Sequence, residues 1–162
     1  MRVANEKKNP PGRVRAGVLE DLPQLLALEA MFPGDRLSQR QFRHHLVSAT
    51  ARLRVVASGK RVQGYALILL RRNSRVARLY SIAVDPAARG LGLGQILLDD
   101  VVTQARKAGS ERLRLEVRAD NVAVIAWYRR SGFVEFGRIP GYYEDGCEAL
   151  RCERQLASAE KA

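Results

Sequence analysis

Hydrophobic residues along this chain recur first at the spacing of helices and then at the spacing of strands. Leucines and Phe32 lie three or four residues apart from Leu22 onward, which predicts a helix that ends at Pro33-Gly34. Ser38 then precedes a second, short helical pattern. Between Arg112 and Arg118 hydrophobic and charged residues alternate, which predicts a strand with one buried face.

The same patterns along the whole chain predict the element order β-α-α-β-β-β-α-β-α-β-β. Short turns join the early strands and the late strands, and the segment from Ser58 to Arg61 is typical of a hairpin. The expected fold class is therefore α/β. The predicted strands cover residues 13–18, 53–57, 62–70, 76–84, 112–118, 133–138 and 147–154, and the predicted helices cover 22–32, 38–46, 92–107 and 121–130.

Length and composition limit the number of domains and the compartment. At roughly 100–200 residues per domain, a chain of 162 residues suits one domain. We place that domain at residues 13–156, with a flexible N-terminal tail at 1–12 and a C-terminal tail at 157–162. No apolar run approaches the ~20 residues that span a bilayer, and the polar start lacks the apolar centre of a signal peptide. We expect a cytoplasmic protein with no membrane partner.

The metal-ligating residue types are few. Cys147 and Cys152 are the two cysteines, and His44 and His45 are adjacent, so cysteine and histidine cannot supply a four-ligand zinc site. We therefore expect two reduced thiols and no metal.

The net charge of +11 is unusually high and lies entirely in the first half of the chain. Residues 1–78 hold sixteen lysine and arginine residues against five acidic ones, whereas residues 79–162 hold twelve of each. Such a balance invites a nucleic-acid interpretation. The arginines are scattered, however, and are not interleaved with aromatic residues as a base-stacking groove requires. This favours a diffuse basic surface, suited to an acidic partner, over a dedicated nucleic-acid site.

A glycine-rich segment, Arg89-Gly90-Leu91-Gly92-Leu93-Gly94, follows a predicted strand and opens a predicted helix. Its backbone amides and the positive end of the helix can converge on a phosphate. No Gly-Lys-Ser/Thr follows, as a nucleoside-triphosphate loop requires, and the glycine spacing lacks the dinucleotide-binding pattern. The segment is therefore a phosphate loop of another kind.

This loop resembles the pyrophosphate loop of the GNAT superfamily of acetyl-coenzyme A dependent N-acetyltransferases, whose pattern is matched by Arg89, Gly92 and Gly94. Residues 80–86 are similar to the family's preceding strand, and residues 115–133 to its second cofactor segment. Glu116 to Asn121, Tyr128 and Gly141-Tyr142-Tyr143 further resemble the Rim-type enzymes, which acetylate the N-terminal amine of ribosomal proteins. In the front half, residues 32–38 depart from the Pro-Trp-Ser turn usual in those enzymes.

The resemblance implies a central, mixed, mostly antiparallel sheet flanked by helices, with a splayed strand pair that binds acetyl-CoA. It also implies Glu116 as general base and Tyr128 as general acid, and places Phe32, Tyr142 and Tyr143 at the acceptor. The implied cofactor-binding residues are Ile82, Ala83, Val84, Arg89, Gly90, Leu91, Gly92, Leu93, Gly94, Gln95, Asn121 and Tyr128.

The implied roles suit the chemistry, because an acceptor amine must lose a proton and a leaving thiolate must gain one. Each residue also has a purely structural alternative. Glu116 could be a surface carboxylate paired with Arg114 or Arg118, Tyr128 could be a packed aromatic residue, and Asn121 could be only a helix N-cap. The acidic cluster beside Tyr142, which consists of Glu144, Asp145 and Glu148, could attract an amine or could be a solvated turn.

Three functions remain to be compared. The first is acetylation of a protein or peptide N-terminus, with a ribosomal protein as one possible acceptor, by a monomer or homodimer. The second is acetylation of a small-molecule amine. The third is a non-catalytic CoA-binding module that docks on RNA or the ribosome.

Overall fold

The fold is built on one sheet of seven strands, seen in a computed structural model that describes residues 12 to 156. The sheet order is β1-β2-β3-β4-β5-β7-β6. The predicted element order and the α/β fold class are confirmed. The strands are Arg13–Ala16 (β1), Ala51–Ser58 (β2), Arg61–Leu69 (β3), Val76–Val84 (β4), Arg112–Arg118 (β5), Val134–Ile139 (β6) and Ala149–Gln155 (β7), and the helices are Leu22–Glu29 (α1), Gln39–Val47 (α2), Leu93–Lys107 (α3) and Val122–Arg130 (α4).

Two predicted segments fall largely outside the described residues. They are the N-terminal tail, of which only Gly12 is described, and the whole C-terminal tail. Between residues 12 and 156, none of the helices is both long and apolar enough to cross a membrane.

Strand β3 separates two hydrophobic cores because its side chains alternate between the faces of the sheet. Ala66 and Ile68 belong to the core that also contains the apolar faces of α3 and α4. Tyr65 and Leu67 belong to the core beneath α1 and α2. All four are fully buried, which explains why the predicted strand is apolar on both faces. Helices therefore flank the sheet on both sides.

The sheet divides between β4 and β5. All neighbouring strands in the described sheet are antiparallel except these two, which pair in parallel over three positions only, from Val76 opposite Arg112 to Arg78 opposite Arg114. Beyond that point the two strands part. Tyr80 is an extra residue in β4 relative to β3, and such a bulge bends a strand. The predicted mostly antiparallel sheet with a splayed strand pair is confirmed.

One face of the sheet changes character at this division. Over β2 to β4 it is covered by α1 and α2, whereas over β5 and β7 it carries charged side chains. The register places Glu116 opposite Arg151 and Arg114 opposite Glu153, so opposite charges face each other across the strands. Glu116 lies where the helix-covered half meets this charged half.

The first helix differs from the prediction. Helix α1 ends at Glu29, not at Pro33, because Met31 and Phe32 donate their amides only three residues back and the Glu29 carboxylate accepts the amide of Leu37 at 2.8 Å. Asp21 occupies the N-cap position of α1, but its side chain makes no capping hydrogen bond. It accepts two hydrogen bonds from Arg15 instead, and these lower the pKa of Asp21.

Candidate active site

A cavity of about 320 Å³ opens where β4 and β5 part, and we call it the Glu116 cavity. The end of α1 and the loop that leads to α2 form one wall, the two strands form the floor, and the loop between β6 and β7 closes the far side. Its lining consists of Glu29, Asp35, Arg36, Leu37, Arg78, Tyr80, Ser81, Glu116, Tyr142 and Tyr143.

Glu116 is held in this cavity by arginines from the neighbouring strands. Its side chain is only 11% exposed, and its Oε2 accepts a hydrogen bond of 2.9 Å from Nε of Arg78. Nε of Arg151 lies 3.9 Å from Oε1. The alternative of a surface carboxylate paired with Arg114 or Arg118 is wrong, because those two arginines bind Glu153 and two aspartates. Glu116 is thus a largely buried, oriented carboxylate that lines a cavity.

Two of the three predicted acceptor residues line this cavity. Tyr142 accepts a hydrogen bond of 2.8 Å from Nη2 of Arg78, and Tyr143 packs edge-on against Tyr142. Burial, followed by the influence of Tyr142, raises the pKa of Tyr143 to about 12. Phe32 does not line the cavity, since it packs against the core beneath α1 and α2. The loop that follows it contributes Asp35, Arg36 and Leu37 in its place.

The acidic cluster beside Tyr142 is largely neutralised. Asp145 accepts a hydrogen bond of 2.6 Å from Arg118, which lowers the pKa of that carboxyl, and Glu148 pairs with Arg138 at 3.3 Å. Its attraction for a cationic acceptor is correspondingly weak.

The glycine-rich loop presents free amides at the start of α3. Gly90 and Gly92 have φ angles of 83° and 72°, in the left-handed region that glycine adopts without steric cost. Within residues 12 to 156, the amides of Gly90 through Gln95 donate to no carbonyl or side chain. Amides that converge at a helix N-terminus suit a phosphate group, so this loop fits the diphosphate of a nucleotide cofactor.

The other predicted cofactor residues come from the end of β4, the glycine-rich loop and the start of α3. Ile82, Ala83 and Val84 end β4 beyond the point where β5 leaves it. The side chains of Ala83 and Leu93 are buried in the cores, so only their main chains are accessible to a ligand. Gln95 accepts a hydrogen bond of 3.0 Å from Nε1 of Trp127, which joins α3 to α4 beside the loop. Arg89 and Leu91 are exposed.

Tyr128 and Asn121 both have the structural roles that were open alternatives. Tyr128 is buried and packs against Trp127 and Phe133, and burial raises the pKa of its phenol. Asn121 is the N-cap of α4 and accepts the amide of Val124 at 3.4 Å. These roles are compatible with ligand binding and do not test it. In the described part of the chain, no three His, Cys, Asp or Glu residues are grouped to hold a metal ion.

Sequence reasoning missed the arginine partners of Glu116 and a polar network under the cavity. In that network Tyr65 donates its hydroxyl hydrogen to Glu29 and shares a bond of 2.7 Å with Ser81. Val76, Arg78 and Tyr80 alternate with Ala77 and Leu79 along β4. This alternation was the available signal that the Arg78 side chain lies on the face of the sheet opposite to Ala77 and Leu79. Only the tertiary structure shows that Arg78 binds Glu116, because the register of β4 with β5 places Arg78 opposite Arg114.

Comparisons with known proteins agree on the family and differ on the acceptor. A family model described as Acetyltransferase (GNAT) family matches residues 19–133. A segment of 67 residues is 45% identical to the ribosomal protein bS18-alanine N-acetyltransferase of Escherichia coli and covers 41% of this chain and 45% of that enzyme. A segment of 58 residues is 41% identical to the mycothiol acetyltransferase of Geodermatophilus obscurus and covers 36% of this chain and 19% of that enzyme. The matched segments therefore span less than half of these relatives.

A solved structure matches over most of the chain. The crystal structure of the ribosomal-protein-S18-alanine N-acetyltransferase from Escherichia coli superposes with a TM-score of 0.82 at 27% identity, covering 93% of this chain and 97% of that one.

Proposed function

This chain belongs to the acetyltransferase (GNAT) family, and from that premise we propose that it transfers the acetyl group of acetyl-CoA to the N-terminal amine of a protein or peptide. The observation that carries the proposal is the position of Glu116. Its carboxylate is oriented by Arg78 and faces a cavity at the place where β4 and β5 part. Similarity to the Escherichia coli enzyme, whose name states an alanine of a ribosomal protein as the acceptor, supports the choice of a protein acceptor.

In this proposal the cofactor would lie along the gap where β4 and β5 part. The free amides of Gly90 to Gln95 hold its diphosphate, and the end of β4 offers main-chain groups of Ile82 to Val84 to its pantetheine arm. Asn121, as the N-cap residue, and Tyr128 belong to α4, the helix that follows β5 in the chain. When bound, acetyl-CoA supplies an acetyl group activated as a thioester.

Glu116 acts as the general base. An α-amino group has a pKa of ~7.7–8.0 and is largely protonated near neutral pH, so the acceptor must lose a proton before it can attack. Glu116 takes that proton, directly or through one water molecule. Its Oε2 is bound to Arg78, which leaves Oε1 as the atom that accepts the proton.

Tyr128 acts as the general acid that returns a proton to the cofactor sulfur. Burial raises the pKa of Tyr128, so the phenol remains protonated throughout the neutral range and has a hydrogen to donate. Tyr143, whose pKa is about 12, lines the Glu116 cavity and contacts the acceptor instead.

A small-molecule amine is the second candidate acceptor. The likeness to a mycothiol acetyltransferase favours it, because that relative's name refers to mycothiol, which is a small molecule. A non-catalytic module that holds CoA and docks on RNA is the third candidate. The oriented Glu116 carboxylate disfavours it, since a module of that kind needs no base.

The test is release of CoA thiol from acetyl-CoA in the presence of N-terminal peptides, small amines or no acceptor. Turnover with peptides, together with mass spectra that place the acetyl group on the α-amine, would support the proposal. Turnover with small amines alone would favour the second candidate. Binding of acetyl-CoA without turnover on any acceptor, combined with RNA binding that weakens steeply with salt, would favour the module.

A further inference from the structure

A second cavity, of about 470 Å³, adjoins the Glu116 cavity on the charged face of the sheet. It lies beside the turn between β3 and β4, and apolar side chains of those two strands form one of its walls. Its other walls carry Arg71, Arg78, Arg114 and Arg151, so we call it the arginine groove. Glu116 is the single carboxylate in its lining, and Glu153 outside the lining binds Arg114, so four arginines meet two carboxylates.

Two of these arginines are hydrogen-bonded to carboxylates, and the other two form no hydrogen bond to a carboxylate within residues 12 to 156. Arg151 makes only a long contact of 3.9 Å with Glu116. Arg78 binds Glu116, and Arg114 binds Glu153 at 2.5 Å. Nε of Arg151 is buried and donates to no group between residues 12 and 156. Arg71 is exposed and forms no ion pair with any residue of the described chain.

An aromatic ring contacts two arginines of the groove. The guanidinium carbons of Arg114 and Arg151 each lie 4.8 Å from the ring centroid of Phe136, so the ring restrains both side chains. A guanidinium restrained in this way loses less conformational entropy when it binds a carboxylate. An unpartnered buried donor also gains a hydrogen bond that it otherwise lacks.

Continuity with the Glu116 cavity determines what the groove can hold. Arg78 and Glu116 line both cavities. An acceptor whose amine lies at Glu116 therefore places its nearest substituents at the mouth of the arginine groove. Resting on the proposed function, we infer that the preferred acceptor carries a carboxylate close to its amine, as a peptide with an acidic side chain among its first residues does, and that Arg71 and Arg151 bind this carboxylate.

The distribution of charge elsewhere agrees with an acidic acceptor. Two of the three acidic residues near Tyr142, Asp145 and Glu148, are paired with Arg118 and Arg138, which weakens their attraction for a basic peptide. The net charge of +11 also repels a polycationic acceptor and attracts an anionic one.

The experiment compares peptides that begin with alanine and carry either glutamate or glutamine at position 2 or 3. The two peptides of a pair differ only in a carboxylate against a carboxamide. The readout is the ratio of kcat/KM for the glutamate peptide to that for the glutamine peptide. We expect a ratio of about ten in the wild type, as one charge-assisted hydrogen-bonded pair would give, and a ratio near one in Arg151→Gln and in Arg71→Gln. Arg106→Gln, an exposed arginine at the end of α3, is the matched control and should keep the wild-type ratio.

Free glutamate is a further acceptor arm that separates the two sources of a carboxylate beside an amine. Its acetylation, lost in Arg71→Gln, would support the inference and identify a small-molecule source. Equal or better use of the glutamine peptide, or of an arginine peptide, would overturn the inference while peptide acetylation itself upheld the proposed function. RNA binding that depends on Arg71 and Arg151, without a preference for glutamate, would also overturn it. Absence of turnover on every acceptor would overturn both.

Discussion

Arg78 donates from Nε to Oε2 of Glu116 at 2.9 Å, across the gap between two strands that have just parted. Arg78 is the last residue of β4 to pair with β5, so the ion pair lies at the point of divergence. The same guanidinium donates to Tyr142 at 2.8 Å. One arginine therefore orients the proposed base and joins it to the β6–β7 loop.

Replacement of Glu116 by glutamine should reduce kcat/KM by ~10²-fold or more, as loss of a general base does, with little effect on cofactor affinity. The amide keeps the shape of the side chain and can still accept from Arg78. The measurement is initial acetylation rate together with acetyl-CoA binding by calorimetry.

Glu153→Gln is the matched control, because Glu153 occupies the same face of the sheet and binds Arg114 with similar burial. It should retain most of the activity. Equal losses in the two variants would mean that Glu116 acts through charge on this face and not as a base.

Substitutions of Tyr128 and Tyr143 should affect different kinetic constants. Tyr128→Phe should lower kcat by ~10–100-fold, because it removes the proposed proton donor and leaves the packed ring in place. Tyr143→Phe should instead raise KM for the acceptor, since Tyr143 lines the Glu116 cavity. Steady-state kinetics with each substrate varied in turn would measure both. A larger kcat effect in Tyr143→Phe would transfer the acid role to Tyr143.

Gly92→Ala should raise KM for acetyl-CoA by about tenfold and destabilise the fold by ~1 kcal/mol, because alanine is strained at a φ of 72° and distorts the amides of the loop. Gly109→Ala is the control. Gly109 has a φ of 84° and, as at Gly92, an added Cβ would meet no atom within 4 Å. It should cost similar stability without a change in KM. A rise in KM in both variants would show that strain alone, and not the loop, is responsible.

Tyr65→Phe should lower the free energy of unfolding by ~1–3 kcal/mol, because the buried Glu29 carboxylate loses the hydroxyl that it accepts from. Glu29 also accepts the amide of Leu37, so the wall of the Glu116 cavity should loosen as well. Denaturant unfolding gives the stability, and hydrogen exchange at Leu37 reports on the wall. Unchanged exchange at Leu37 alongside reduced stability would confine the effect to the core.

Stability should fall at alkaline pH. Burial raises the pKa of Tyr65 and of Tyr128, and raises that of Tyr143 to about 12, above the ~10 of a tyrosine in an unfolded chain. The stability that these neutral phenols contribute is present below pH ~10 and is lost as pH rises through the folded values. Unfolding free energies at about pH 8 and 11 would show the fall, and Tyr65→Phe should show a smaller one. A flat profile in the wild type would contradict this assignment.

Much of the fold was predictable because helices and strands leave a local periodic record. Val76–Val84 and Arg112–Arg118 were predicted to the residue, since the first ends at the turn signal Asp85-Pro86 and the second alternates along its whole length. The end of α1 was not predictable. It depends on a carboxylate at Glu29 that accepts an amide eight residues later, and hydrophobic spacing does not encode that contact.

The candidate site was also predictable only in part. Glu116 was identifiable from its place on the polar face of a strand and from the resemblance of its surroundings, and the glycine-rich loop from its spacing. The partners expected for Glu116 were its neighbours on β5, yet the actual partners come from β4 and β7. Phe32 was predicted at the acceptor by resemblance, and in the fold it packs, partly buried, against the core beneath α1 and α2 and does not line the Glu116 cavity.

The sequence by itself determined the order of elements, the family and the residues able to carry the chemistry, because helix and strand periodicity and the glycine spacing act between near neighbours in the chain. Only the tertiary structure decided which charges meet. Arg78 and Glu116 are 38 residues apart, and the four arginines of the groove come from three strands and a turn. Their juxtaposition follows from strand order and register in the sheet, which the burial of apolar side chains fixes. No local pattern in the sequence records it.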